Sequence, residues 1–482
     1  MKRNKKIGNI YTPESIVKMM LDYGGYIVSA HIRKKHVMDN SCGDGRFLQE
    51  ILKRYIESYM LTTDLFDTDE IRHELEVYIH GIDIESAECD KCRKKLSDIA
   101  LLYGIDGVEW DIRCENSLAV KDFHGKMDYV FGNPPYVRIH NLKNGGDSDE
   151  YRLFRGFHFA ENGMSDLYLA FYELGLRMRN DNGILCYIAP SAWLSSLSGT
   201  NMRRYVKNTK ELSHIIDFED IQVFDGVTTY VMITLFDKRP HSYIQYDKFD
   251  EENEYFYSVS GIPYSNIFIN DKMYIATKSE LSLIRDVEKT RTGSIVVKNG
   301  YATLADDVFI NNLPPLSKYT IDVLKISTNE WKKCLFPYDK DMNPLSLGTI
   351  KDTAPDVYDY IIQNEEALKH RTYDKTKCDY WHLIGRSQGL GDTYKNKIAT
   401  NFLIRNAHDL KINEVGAGKG VYSGFYVLTD LDFSAIEKVM KNDSFVNYVK
   451  SLRKYKSGGY YTFSTKDLEK YLNYVLYAKE IS

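Results

Sequence analysis

Apolar residues recur at helical spacing across 47–60, where Phe47, Leu48, Ile51, Leu52, Tyr55, Ile56, Tyr59 and Met60 form one face. This pattern predicts an amphipathic helix. A short apolar strand at 37–38 precedes it, joined by the turn Asp39-Asn40-Ser41-Cys42-Gly43-Asp44-Gly45. Further strands are expected at 77–84, 127–131, 184–189, 214–218 and 230–236, with helical stretches between several of them. Thr12-Pro13-Glu14 reads as a helix start, with Thr12 as cap, Pro13 at the first helical position and an acid in the first turn. Such alternation predicts a doubly wound, Rossmann-like α/β domain. Past Pro240 tyrosines, lysines and turn residues dominate and the alternation fades. We expect a first domain over 1–245 and a second, α+β domain over 246–482.

The 482 residues suit two domains, each able to bury a core, and 43% hydrophobic with 27% charged residues is a globular balance. No run of about 18 apolar residues occurs, so no membrane span is expected. The basic start, Met1-Lys2-Arg3-Asn4-Lys5-Lys6, leads into no apolar signal core, and a cytoplasmic location is expected. A net charge of −5 leaves nucleic-acid binding open, because a local basic face suffices for it. Among seven cysteines, Cys89 and Cys92 alone have metal-like spacing. With no second pair nearby, they read as part of a charged surface helix, and no metal site is expected.

The segment richest in chemistry is the strand at 127–131 running into Asn133-Pro134-Pro135-Tyr136. The prolines fix φ and remove backbone donors, so the loop offers carbonyl acceptors and the Asn133 amide oxygen in a stiff arc beside a π face. An aryl-type amine is a poor nucleophile, because its lone pair is delocalised into the ring. Acceptors aimed at its hydrogens favour the tetrahedral form, and an aromatic holds the ring flat. The bland alternative is a turn after a strand.

The turn at 39–45 joins a strand to an amphipathic helix, and its glycines allow close backbone approach to a nucleotide-like ligand. A dinucleotide site is the competing reading. It lacks the third glycine, and Asp39 and Asp44 would repel a pyrophosphate while suiting a cationic sulfonium with an amino-acid tail. Asp83, closing the next strand, stands where an acid accepts from ribose hydroxyls.

Together these segments resemble the γ-class, TaqI-like N6-adenine DNA methyltransferases of restriction–modification systems. Tyr11-Thr12-Pro13 is similar to the family's N-terminal motif over the methionine part of the cofactor. Residues 39–45, with Asp39, Ser41, Cys42, Gly43 and Gly45, resemble its cofactor loop, and Asp83 its ribose-binding acid. Glu115-Asn116-Ser117-Leu118 resembles the segment that reads the cofactor adenine, although the family more often has Asp where Asn116 stands, and the segment from Asp166 to Phe171 is similar to the helix that follows the family's catalytic loop. Asn133, Pro134, Pro135 and Tyr136 match its catalytic loop, and Phe224 resembles a residue that contacts the flipped base.

The resemblance implies S-adenosylmethionine as cofactor, double-stranded DNA as partner with base flipping, a monomeric enzyme, and room for a cognate restriction endonuclease acting as a separate protein. It implies a methyltransferase domain followed by a target-recognition domain. In that second half, 298–309 and 381–389 are similar to segments of such domains. Arg386 and Gln388 are candidates for base contacts, and Lys454 and Tyr460, in a run of cations beside aromatics, for backbone contact and stacking. The alternative activity is a protein (glutamine) or RNA N-methyltransferase using the same loop; the long second half argues against the former.

Overall fold

The computed structural model describes residues 11–28, 32–138, 149–162, 165–224, 229–251, 255–291, 293–371 and 380–477. The chain divides into two compact units, Met1–Leu281 and Ser282–Ser482.

In the first unit the alternating pattern becomes one sheet of nine strands among the described residues. They are β1 (Val37–Asp39), β2 (Ile79–Asp83), β3 (Asp111–Cys114), β4 (Met127–Gly132), β5 (Arg179–Pro190), β6 (Leu212–Asp217), β7 (Val231–Asp237), β8 (Tyr243–Asp250) and β9 (Tyr255–Pro263). Their order is β3-β2-β1-β4-β5-β7-β6-β8-β9. The pairs from β3 to β5 are parallel, and β7 inserts antiparallel between β5 and β6. All residues of β1 and β7 are buried, as expected of strands covered on both faces. The chain winds outward from β1 through β2 to β3 and resumes at β4 on β1's other side. That reversal makes the carboxyl ends of β1 and β4 the topological switch point, where a doubly wound sheet leaves a crevice.

Helix α1 (Glu14–Tyr23) starts one residue later than expected. Pro13 occupies the cap position, its carbonyl accepts from Val17, and Thr12 makes no side-chain cap. Helix α2 (Arg46–Thr62) buries Phe47, Leu48, Ile51, Leu52, Tyr55, Ile56 and Tyr59, as the spacing predicts. Met60 is instead 53% exposed. Steps of four residues drift about 40° each, so the row begun at Leu48 has turned away by the fourth turn. Val77 and Tyr78, expected in a strand, end helix α3 (Thr68–Tyr78), which is capped by the Asp67 carboxylate accepting from Asp69 and Glu70.

Helix α4 (Ser86–Leu101) is charged on its outer side, whereas Cys89 and Cys92 are fully buried on its inner side. Among the described residues no cluster of His, Cys, Asp or Glu is arranged to hold a metal. Gly45, just before α2, has φ of 86°, and a Cβ there would lie 2.6 Å from Cys92 Sγ. Its lack of a side chain therefore serves the packing of α2 on α4 as well as the turn.

The boundary expected near 245 falls instead after Leu281. β8 runs parallel to β6 and pairs with β9, so two more strands belong to the first sheet. Tyr243, Tyr255 and Tyr257 are exposed on these outer strands, which disguises them as irregular chain.

The second unit has the mixed character expected of it. One sheet places Phe425–Leu428 between Val296–Asn299 and Lys397–Thr400, and the last of these pairs with Ile412–Val415. Another places Thr320–Lys325 between Glu330–Leu335 and Gly420–Tyr422. Helices include Pro355–Gln363, Asp443–Ser451 and Thr465–Tyr477. Buried Asp392 joins these pieces, accepting from Lys298 Nζ at 2.6 Å, Tyr426 Oη at 2.9 Å and Lys395 Nζ at 2.8 Å. Burial acts to raise its pKa, and the hydrogen bonds from Lys298, Lys395 and Tyr426 outweigh it, holding the carboxyl down to about 2. A carboxyl depressed in the fold stabilises it above the unfolded value near 4, and that contribution is lost as pH falls through the folded value. Asp392→Asn should therefore lower the thermal midpoint at neutral pH and lose less than wild type between about pH 4 and 2, followed by circular dichroism.

Candidate functional site

The loops that leave β1 and β4 lie against each other at the switch point. Met38 is in register with Val130, so Asp39 ends β1 beside the end of β4. A Cβ on Gly132 would sit 3.0 Å from Asp39 Oδ1, and the absence of one lets the strand ends close. Ser41 Oγ then donates to the Asn133 carbonyl at 3.3 Å, joining the two loops directly. Both line one cavity of about 420 Å³. Its wall includes Asp39 to Asp44 from the first loop and Asn133 to Val137 from the second. Tyr11 and Thr12, the run Asp83-Ile84-Glu85, the segment Asn116-Ser117-Leu118, and Leu167 and Phe171 complete it with Arg46 and Phe47.

Side-chain hydrogen bonds hold this wall. Asp83 accepts from Gly43 N through one oxygen and from Glu85 N through the other, both at 2.9 Å. Each carboxylate oxygen keeps a further lone pair for a ligand hydroxyl. Ser117 Oγ donates to the Asn40 carbonyl at 2.6 Å, and the Asn40 amide oxygen accepts from Tyr187 Oη at 2.8 Å. Asn116 Oδ1 accepts from Leu118 N at 3.0 Å, so this amide shapes its own turn. Tyr136 is held by a 3.1 Å bond from its hydroxyl to the Ile188 carbonyl, with Tyr168 edge-on at 6.5 Å and Phe224 tilted at 6.2 Å between centroids. Burial pushes the Tyr136 hydroxyl far above the usual tyrosine range, so it remains a donor. Asp39 is 2% exposed. Burial raises its carboxyl to about 8 against the Ser41 N–H that favours the anion, and the Asp83 charge adds to the rise.

Of the residues singled out in the sequence, the cavity gathers Tyr11, Thr12, Asp39, Ser41, Cys42, Gly43, Asp83 and Asn116 with Asn133, Pro134, Pro135 and Tyr136. Three fall outside it. Gly45 faces Cys92. Glu115 is exposed, its carboxylate 3.8 Å from Arg113, because the chain reverses at Asn116 and presents Asn116 to the cavity instead. Phe224 is buried behind Tyr136, and a ring entering between the two would have to part them.

In the second unit Arg386 is exposed, while Gln388 Nε2 donates to the Gly300 carbonyl at 3.0 Å. Lys454 is committed to buried Asp467, and Tyr460 carries the Arg405 guanidinium 4.5 Å from its centroid. These last two contacts are internal, and they turn the cation–aromatic run toward holding its own fold.

Sequence reasoning did not pick out Ile84, Glu85 or Arg46 as part of this wall, and it placed Leu118, Leu167 and Phe171 only within longer matched segments. Leu167 and Phe171 carry a partial signal, four residues apart on the helix Leu167–Met178 and so on one face. Ile84 carries another, as a 53% exposed apolar residue between two acids at a strand end.

The sequence profile of the Eco57I restriction-modification methylase family matches residues 49–224. The chain is 24% identical over 421 residues to the type II methyltransferase M.BstVI of Geobacillus stearothermophilus, covering 78% of this chain and 73% of that one. It is 24% identical over 415 residues to the type II methyltransferase M.XhoI of Xanthomonas vasicola, covering 78% and 74%. Among solved structures, the type IIL restriction-modification enzyme MmeI in complex with DNA superposes with a TM-score of 0.62 at 14% identity. That match covers 94% of this chain and 65% of MmeI, so the chain spans under two thirds of it, and at this identity it establishes the fold.

S-adenosylmethionine is the cofactor that goes with these relatives, and the wall fits it. Asp83 suits ribose hydroxyls, the acids suit its cationic centres, and Ile84, Leu118 and Phe171 offer apolar surface for a purine. Over residues 49–224 the chain is thus similar to the restriction-modification methylases of the Eco57I family, and over most of its length to type II methyltransferases.

Proposed function

We propose that this chain transfers a methyl group from S-adenosylmethionine to the N6 amine of an adenine flipped out of double-stranded DNA. The observation that carries this reading is the sharing of one cavity by the Asp39–Asp44 loop and the Asn133–Tyr136 loop, joined through Ser41 and the Asn133 carbonyl. When bound, the cofactor supplies an electrophilic methyl carbon on a sulfonium. The chain's part is to position the amine. Asn133 Oδ1 and the Pro134 carbonyl accept from its two hydrogens, which localises the lone pair, and Tyr136 stacks on the ring. Tyr136 can do so rigidly because its hydroxyl is tied to Ile188 and its ring is braced by Tyr168 and Phe224. Phe224 thus supports Tyr136 rather than forming an opposing jaw. The amine lies inside the duplex stack, so extrusion of the base is required. The second unit is assigned to target recognition, with exposed Arg386 as its clearest candidate for a base contact. The kinship with type II methyltransferases supports DNA as the substrate.

Incubating the purified chain with labelled S-adenosylmethionine and DNA duplexes of varied sequence, then digesting to nucleosides, is expected to give N6-methyl-2′-deoxyadenosine. Label in N4-methylcytosine, in RNA or in polypeptide would overturn the assignment. Asn133→Ala should reduce transfer by about a thousandfold or more, in line with losing a principal transition-state acceptor, while cofactor affinity changes little. Tyr136→Phe keeps the ring and loses the hydroxyl bond to Ile188, so it should cost less activity than Tyr136→Ala; equal losses would remove stacking as the role of this side chain.

Asp39 yields a pH test. Its folded value near 8, raised by burial, lies above the unfolded value near 4. The ligand-free fold therefore keeps a proton that the unfolded chain releases, and stability falls as pH rises across that window. Asp39→Asn should flatten the decline in thermal midpoint between about pH 4 and 8, measured without cofactor.

A further inference from the structure

One side chain in the cavity wall differs from its neighbours. Asp39, Asp44, Asp83 and Glu85 are acidic, and Arg46 is the only cation among the described residues of the lining. Its side chain is 46% exposed, and its Nε lies 3.4 Å from Asp44 Oδ1, long for a charge-assisted bond. Asp44 already has a closer partner in Lys95 from α4. On its other side the guanidinium carbon stands 5.3 Å from the centroid of the Tyr11 ring, and Tyr11 Oη donates to Glu88 Oε2 at 3.1 Å. Arg46 is therefore held at the cavity edge by an aromatic plate and a shared carboxylate. Among the described residues no hydrogen bond occupies its terminal NH groups.

The cofactor carries a sulfonium, an ammonium and a carboxylate. An acidic wall complements the two cations and repels the third group, so an anion subsite needs a local reversal of charge. We infer that Arg46 binds the carboxylate of the cofactor's amino-acid tail, with Tyr11 as the surface that holds the guanidinium flat. The inference rests on the S-adenosylmethionine reading of the cavity. Arginine suits the task better than lysine, since its planar fork can engage both carboxylate oxygens and also lie on an aromatic face. The tether from Tyr11 to Glu88 fixes that face, so the Tyr11 ring and the Asp44 contact set the guanidinium's position before the ligand arrives.

The test uses the full chain and two nucleoside ligands, S-adenosylhomocysteine and its decarboxylated counterpart, which keeps the ammonium and lacks only the carboxylate. Affinities are measured by titration calorimetry, so no turnover is needed. Wild type should bind S-adenosylhomocysteine about tenfold or more tightly than the decarboxylated compound. Arg46→Gln should erase that preference, weakening the first ligand by a similar factor and the second by less than about twofold. Arg46→Lys should retain part of the preference, and it serves as the second probe if the Gln variant fails to fold. Equal weakening of both ligands, or no change in either, would show that Arg46 acts on the loop or not at all, and overturns the inference. If wild type binds neither nucleoside, the cofactor reading of the cavity itself fails, an outcome distinct from a wild type that binds both equally.

Discussion

Asp39 and Gly132 stand at the adjoining ends of β1 and β4, where a Cβ at 132 would lie a tight 3.0 Å from Asp39 Oδ1. The site depends on this contact. Because β1 is only three residues long and fully buried, its last residue is carried to the sheet's carboxyl edge inside the core, where an acid is strongly disfavoured as an anion. A side chain at 132 would press on the Asp39 carboxylate, which would have to give by a few tenths of an ångström, next to the Ser41–Asn133 bond. The topological reversal between β1 and β4 supplies the crevice, and the missing side chain at 132 leaves the Asp39 carboxylate undisturbed beside the end of β4.

What was legible in the sequence follows the same line. Features with a local cause were readable: the helical period of α2, the glycine turn before it, the proline-stiffened loop after β4, and the acid ending β2. Features with a tertiary cause were not. Gly45 looked like a ligand-facing glycine, yet the atom that excludes a side chain there belongs to Cys92, far along the chain. Glu115 and Asn116 are adjacent, and only the turn that Asn116 makes with Leu118 decides which of them meets the cavity. β8 and β9 were hidden because outer strands keep exposed tyrosines and charge, so their alternation is weak. The partner of Lys454 was hidden for a related reason, since a basic run shows nothing of an acid buried beneath it.

Charge in the cavity is arranged by depth. Asp39, innermost, is raised by burial and keeps its proton near neutral pH in the ligand-free fold. Asp83 sits at the strand end with both oxygens accepting from backbone N–H groups. Arg46 lies at the edge, half exposed. A small ligand with separated positive and negative groups meets a wall graded to match, although the chain as a whole carries a modest net charge of −5.

The proposed chemistry is positional, and positional catalysis requires that the two loops keep their spacing to a fraction of an ångström. The structure achieves this through a common reference. Tyr187 and Ile188 are consecutive residues of β5, and each fixes one loop: the Tyr187 hydroxyl bonds the Asn40 amide in the cofactor loop, and the Ile188 carbonyl receives the Tyr136 hydroxyl of the second loop. Successive side chains on a strand point to opposite faces, so one of the two ties must come from the backbone if both are to reach the same end of the sheet. That is the division found, a side chain for Asn40 and a carbonyl for Tyr136. β5 lies beside β4 and is buried along its carboxyl half, so both loops are tied to one buried strand as well as to each other.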